Sequence, residues 1–255
     1  MKLKWRFKMQ LLIDIGNSRF KWRNNSGTFE GALVHGEQSL SAYLDEYWSG
    51  LEKVGSCWGC SVANSDARRE LDEWCQNNFG FAVTWVQSKS RELGVINHYN
   101  EPATLGCDRW VALVSAKHKY PNKPLCVVDA GTAITVDALS AAGDFLGGTI
   151  IPGRKLMQRA LGHNTARLPH SIEATGLVLD VQAKSTGQAI YTGIELTLQA
   201  GVTRIIQEHL TKYQRKMKII VTGGDAESLQ LPYVGIKHEP DLVFDGLKLI
   251  ASRAD

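Results

Sequence analysis

Residues 127–137, VVDAGTAITVD, decide how the rest of the chain is read. Apolar residues run into an Asp and a Gly, hydroxyl residues follow, and apolar positions then alternate. That is the pattern of a strand, a tight turn and a returning strand. Near the start, residues 11–23, LLIDIGNSRFKWR, repeat the outline. A Gly after a strand lets the backbone turn tightly and approach a ligand closely. Exposed N–H groups and small hydroxyls in such a turn hydrogen-bond phosphate oxygens, and an Asp at the strand end holds Mg²⁺, usually through water. A single Asp-x-Gly turn is common at hairpins. Two copies, each opening a three-strand unit, suggest two lobes that grip one nucleotide phosphate chain.

The surrounding sequence supports a duplicated plan. QLLIDIG, SRFKWRN and GTFEGALV read as three successive strands, followed by a helix in SLSAYLDEYWSG, a strand in KVGSCWG, a helix in NSDARRELDEWCQNNFG and a strand in FAVTWVQ. SKSRELGVINHYNEPATLG reads as irregular, and CDRWVALVSAKHKY as a helix that PNKP breaks. Three strands come again in LCVVDAG, TAITVDAL and FLGGTIIPG. Helices follow in RKLMQRALGH and TGQAIYTGIELTLQAGVTRIIQEHL, then a strand and Gly turn in MKIIVTGG. DAESLQ, YVGIKH and LVFDGLKLIASRA close the chain as helix, strand and helix. The expectation is an α/β fold of two lobes, 1–120 and 121–255, each a mixed sheet opening with three antiparallel strands. VTGGD, 221–225, is a third Gly turn after a strand, whose missing side chains leave room for a flat adenine–ribose group; it also fits an ordinary strand–helix turn.

Bulk properties exclude several classes. At 255 residues there is room for one large domain or two small ones. A formal net charge of +3 is too small and too scattered to argue for nucleic acid. No apolar run approaches the roughly 18 residues of a membrane span. The opening MKLKWRFKMQ is basic but lacks an apolar h-region and a cleavage site, so no signal peptide is expected and the location expected is cytoplasmic. Met1 and Met9 both remain possible starts. Five cysteines, an odd number, argue against a complete disulfide framework. Cys57 and Cys60 in CWGC find no second CxxC or HxxxH to complete a metal set, and read as a strand end and loop. The histidines, His163 and His170 among them, form no catalytic constellation, and no GxxxxGK[ST] phosphate loop is present.

Several segments resemble the type III pantothenate kinases of the acetate and sugar kinase/Hsp70/actin superfamily. DIGNSRFK is similar to that family's first phosphate motif, Asp-x-Gly-Asn-Thr-x-x-Lys, with Ser18 in place of Thr. DAGTAITVD is similar to the second phosphate motif, and YNEPATLGCDRW to Tyr-x-x-Pro-x-x-Leu-Gly-x-Asp-Arg-Trp. GGTIIPG, Leu168–Pro169, STGQAIYTG and TGGD follow in the family's order. The resemblance runs from about Gln10 to the end. It implies an actin/ribonuclease H-like duplicated fold and ATP-dependent phosphorylation of pantothenate to 4′-phosphopantothenate, the first step of coenzyme A biosynthesis.

The resemblance also implies roles. Asp14 would organise Mg²⁺; Gly16, Asn17 and Ser18 would contact phosphate oxygens, as would Thr132; Lys21 would add positive charge, or be merely solvated. Gly223 and Gly224 would meet the nucleotide. Asp108 would be the general base, accepting the hydroxyl proton as the oxygen attacks the γ-phosphorus. Read without the family pattern, Asp108 is an acidic residue favoured at a helix N-terminus. Arg109 would pair with the substrate carboxylate. Tyr99 and Gly106 would line the pantothenate pocket, and Thr186 would meet substrate from a neighbouring subunit; loop packing for Tyr99 and a helix N-cap for Thr186 are the plainer alternatives. Asp129 would lie near a monovalent cation, K⁺ or NH₄⁺, while Asp137 is read as structural. A homodimer with its active site completed across the interface is implied. The long helix, with Ile190, Ile194, Leu198, Val202, Ile205 and Ile206 at helical spacing, is an interface candidate or a core element. The competing reading is a non-catalytic nucleotide-binding regulatory protein of the Bvg accessory factor type.

Overall fold

The structure, a computed structural model, describes residues 9–164, 168–169, 172, 176–213 and 216–254. The basic opening before Met9 and His170 lie outside the described residues. The chain divides into two units. The first comprises the described residues up to Lys119 together with those from Asp241 onward; the second runs from Tyr120 to Pro240.

In the first unit, β1 (Met9–Ile15), β2 (Arg19–Asn24) and β3 (Glu30–Val34) form an antiparallel meander, and β4 (Val54–Ser61) and β5 (Thr84–Trp85) extend it in parallel, giving the order β3-β2-β1-β4-β5. Between them run α1 (Leu40–Tyr47) and α2 (Ser65–Phe79). Ser39 caps α1 by accepting from Ala42 N–H, and Asn64 caps α2 by accepting from Ala67 N–H. Gly80 ends α2 in the left-handed region at φ +80°, where a side chain would be strained. Phe20, Trp22, Trp48, Trp74 and Phe79 build an aromatic cluster, with Trp22 and Trp48 at 5.3 Å between ring centres. The stretch expected to be irregular contains a short hairpin, β6 (Arg91–Glu92) and β7 (Val95–Asn97), turned by Leu93 and Gly94, both at positive φ. A 3₁₀ turn (Pro102–Thr104) leads to α3 (Cys107–Lys119).

The second unit repeats the plan. β8 (Leu125–Ala130), β9 (Ala133–Leu139) and β10 (Asp144–Pro152) form the meander, followed by α4 (Arg154–Asn164) and α5 (Thr186–Lys212). Then β11 (Lys218–Thr222) and β12 (Lys237–His238) pair in parallel, giving β10-β9-β8-β11-β12. The expected helix in DAESLQ is only a 3₁₀ turn (Ala226–Ser228), and the strands expected in YVGIKH and FAVTWVQ shrink to two residues each. The stripe on α5 is core: Ile190, Ile194, Leu198, Val202 and Ile206 are buried against β8, β9 and β11, with Ile205 packed at the edge. It is therefore spent on the unit's own interior, not left as an interface.

The sequence-based lobe limits place α6 (Leu242–Ala251) in the C-terminal lobe, whereas in the structure it belongs to the first unit. Its underside is tied there by side chains. Arg23 reaches Asp241 at 2.6 Å and stacks on Phe244, and Lys119 reaches Asp245 at 2.7 Å. Gly246 lets α6 approach α3 closely; a Cβ there would stand 2.2 Å from the Val111 carbonyl oxygen. Among the described residues no helix is long and apolar enough to cross a membrane.

Candidate active site

The first Asp-Gly turn is fixed by strand register. Asp14 lies opposite Lys21 and Ile15 opposite Phe20, which leaves residues 16–19 as the turn, closed by Gly16 N–H donating to Arg19 O at 2.9 Å. His35, just past β3, braces it twice. Its backbone N–H donates to Ser18 O at 3.1 Å, and its ring Nε2 donates to Gly16 O at 2.9 Å. On the other side β4 runs parallel to β1 with Cys60 beside Asp14, and the Cys60 thiol donates to Asp14 Oδ1 at 3.6 Å. The Asp14 carboxyl is pushed up to about 6, chiefly by burial; nearby Lys21 and the Cys60 thiol pull it down, while the charge of Asp108 pushes it further up. Lys21 and Asp108 are thus both electrostatic neighbours of Asp14. Asn17 is exposed at the tip and Ser18 half-buried.

The second turn is tighter by one residue. Asp129 lies opposite Thr135 and Ala130 opposite Ile134, so residues 131–133 make the turn, closed by Gly131 N–H donating to Ala133 O at 3.0 Å. Two later glycines press on it. Gly153 donates to Thr132 O at 2.9 Å, and a Cβ on Gly153 would stand 2.3 Å from Gly131 O. Gly223, at φ +94°, lies so close that a Cβ would meet Asp129 Oδ1 and Ala130 O at 2.4 Å each. Asp225 N–H then donates to Ala130 O at 2.9 Å. The TGGD loop, with Gly224 exposed in it, therefore rests on the Asp129 turn. Asp137 is buried in β9.

The Asp-Arg pair opens α3. Trp110 N–H donates to Gly106 O, the first helical bond, and Asp108 lies in the first turn. A Cβ on Gly106 would stand 2.7 Å from Asp108 Oδ1, and that oxygen accepts Arg109 N–H at 2.7 Å. The Arg109 side chain is buried and donates to Tyr99 Oη at 3.3 Å. Tyr99 in turn donates its N–H to Asn97 Oδ1 at 3.1 Å. Around it His98, Tyr99, Asn100, Glu101 and Thr104 line an open cleft of about 380 Å³. Thr186 is exposed at the start of α5, and the N-cap is Ser185, which accepts from Gln188 N–H, so Thr186 does not cap its helix.

The structure thus gathers Asp14, Lys21 and Asp108 in one group, Tyr99 with Arg109 in a second, and Asp129 with Gly223 in a third. Sequence reasoning missed His35, Cys60 and Gly153. Gly153 carried a signal, since it closes the GGTIIPG segment; His35 and Cys60 carried none, because both reach the site through strand pairing.

A family model for type III pantothenate kinase matches residues 10–208. The chain belongs to the type III pantothenate kinase family. Curated relatives include a type III pantothenate kinase from Nitrosococcus oceani, 35% identical over 252 residues with 95% of this chain and 94% of that protein covered. One from Paraburkholderia phymatum is 36% identical over 278 residues, with 96% and 94% covered. Among solved structures, a Campylobacter jejuni protein described as a Baf family transcriptional activator superposes with TM-score 0.58 at 23% identity, covering 96% and 98% of the two chains. A ParM mutant superposes with TM-score 0.52 at 9% identity, covering 96% and 99%. These structural likenesses carry the fold alone, the actin-like duplicated fold. The activity is phosphoryl transfer from ATP to pantothenate, the first step of coenzyme A biosynthesis. A kinase of this family uses a divalent cation with its ATP.

Proposed function

We propose that Asp108 is the general base of pantothenate phosphorylation and that the residues gathered around it divide the remaining work. The observation that carries this is the proximity of Asp108 to Asp14: its charge is felt at the Asp14 carboxyl, at the edge of the first phosphate turn. A primary alcohol is far too weak an acid to ionise beforehand, so its proton must pass to a nearby carboxylate as the oxygen attacks phosphorus. Arg109 and Tyr99 hold the pantothenate carboxylate; the guanidinium is pre-aligned by its bond to Tyr99 Oη. Gly16, Asn17, Ser18 and Thr132 take phosphate oxygens, Lys21 adds positive charge, and Gly223 and Gly224 leave space for the adenosine.

Asp14 suits Mg²⁺ held through water. Its buried carboxyl is short of positive charge, with Lys21 its principal cationic neighbour, and a divalent ion offsets the cost of ionising it. When bound, Mg²⁺ spreads the charge that develops on the phosphoryl oxygens. The oxygen donors of Asp129 and the Ala130 and Gly131 carbonyls suit a monovalent cation, K⁺ or NH₄⁺. Thr186 meets substrate from the second subunit of a cytoplasmic homodimer.

Asp108→Asn tests the base. The variant keeps the shape and the acceptor for Arg109 N–H but cannot take a proton. The expected result is a fall in kcat of about 10²–10⁴ with the ATP KM little changed. Near-unchanged kcat would remove Asp108 as the base.

A further inference from the structure

Two thiols stand beside this machinery without a part in it. Cys57 and Cys60 lie three residues apart on β4, which sends their side chains to opposite faces of the sheet. Cys57 joins the apolar core with Cys75 of α2. Cys60 faces the other way, toward Asp14 and toward Cys107, the first residue of α3. Cys107 Sγ is clamped onto the end of β4, accepting Ser61 N–H at 3.1 Å and donating to Ser61 O at 3.2 Å. That anchor sets its sulfur beside Cys60, the residue that precedes Ser61 in β4. Both are free cysteines. Cys107 fills the variable position of the Leu-Gly-x-Asp-Arg-Trp segment, immediately before Asp108.

We infer that Cys60 and Cys107 form a thiol–disulfide switch that turns the kinase off when oxidised by a hydroperoxide. Cys107 is the less buried of the two and sits at a helix N-terminus, which favours its thiolate as the attacking sulfur. The thiolate attacks the peroxide O–O bond, giving a sulfenic acid and releasing the second oxygen as hydroxide or alkoxide. The Cys60 thiol then attacks that sulfur; the S–O bond breaks, the S–S bond forms, and water leaves with the Cys60 proton. Sulfur loses two electrons in all, and the peroxide gains two. The bond removes the thiol hydrogen that Cys60 donates to Asp14. It also draws the first residue of α3 toward β4, and Asp108 moves with it.

The test uses the full-length protein, reduced and then treated with hydrogen peroxide. Turnover on pantothenate and ATP, fluorescent-nucleotide binding, and peptide mapping without reduction are read in parallel. The expected result is a mapped Cys60–Cys107 link, a loss of turnover of about a hundredfold, as for an ångström-scale misplacement at a reacting centre, and recovery with dithiothreitol. Cys60→Ala and Cys107→Ala, each compared with its own reduced activity, should resist peroxide, while Cys57→Ala should respond like the parent. No link, a link between Cys57 and Cys75 instead, or a mapped Cys60–Cys107 link with full turnover would overturn the switch. Absence of turnover in the reduced protein would strike the kinase reading; the map and the nucleotide titration would still decide whether oxidation alters the site.

Discussion

Replacing Asp14 by Asn should make the protein more stable while stopping it from working, and the gain should depend on pH. Desolvation pushes the carboxyl of half-buried Asp14 up to about 6 in the folded protein, from an ordinary value of 3.8. That gap corresponds to about 3 kcal/mol. A raised carboxyl in the folded state means that, between these two values, the folded protein holds a proton that the unfolded chain has released. Stability therefore falls as pH rises from about 4 to about 6, and the loss is complete above it. The substituted amide cannot ionise, so the advantage of Asp14→Asn over the parent should grow by about 2 kcal/mol between pH 4.5 and pH 7.5, part of the gap being already open at the lower pH. Urea unfolding of both proteins, without nucleotide, at pH 4.5 and pH 7.5 measures it. All seven tryptophans precede residue 120, so their fluorescence reports the unit that carries Asp14. A stability difference that stays constant with pH, or that favours the parent at pH 7.5, would refute the electrostatic account of this turn.

Arg109→Lys keeps the charge but loses the two-pronged geometry and the bond to Tyr99 Oη. Pantothenate KM should rise by about 10- to 100-fold, as for a lost charged hydrogen bond, with ATP KM unchanged in steady-state assays. Gly223→Ala forces a Cβ to within 2.4 Å of Asp129 Oδ1 and Ala130 O at a positive φ. It should weaken nucleotide binding in a fluorescence titration by at least about tenfold and leave the first unit's urea transition in place.

Much of the fold was legible because its decisive features are local. Asp-Gly between alternating apolar runs announces a hairpin, and its recurrence announces the duplication that the matching orders β3-β2-β1-β4-β5 and β10-β9-β8-β11-β12 display. What depends on distant pairing was not legible. The apolar side of α5 looks the same whether it faces the unit's own sheet or a second subunit; only the packing of Ile194 and Leu198 onto that sheet decides for the core. Nothing local to α6 says that it returns to the first unit, since Gly246 acquires meaning only against Val111. The hairpin at 91–97 was hidden because its turn puts Leu93 in a left-handed conformation that Leu seldom adopts. At the site, Asp14, Asp108 and Arg109 stood out as motif residues. Cys60 became relevant only through a parallel register that sets it beside Asp14.

The most direct test of the central claim is a coupled ADP-release assay with pantothenate, ATP, Mg²⁺ and K⁺, with mass detection of the product and parallel runs in which Na⁺ replaces K⁺. The account predicts ADP release that requires pantothenate, matched mole for mole by 4′-phosphopantothenate and diminished in Na⁺. Folded protein that binds nucleotide yet yields no pantothenate-dependent ADP under any of these conditions would contradict it.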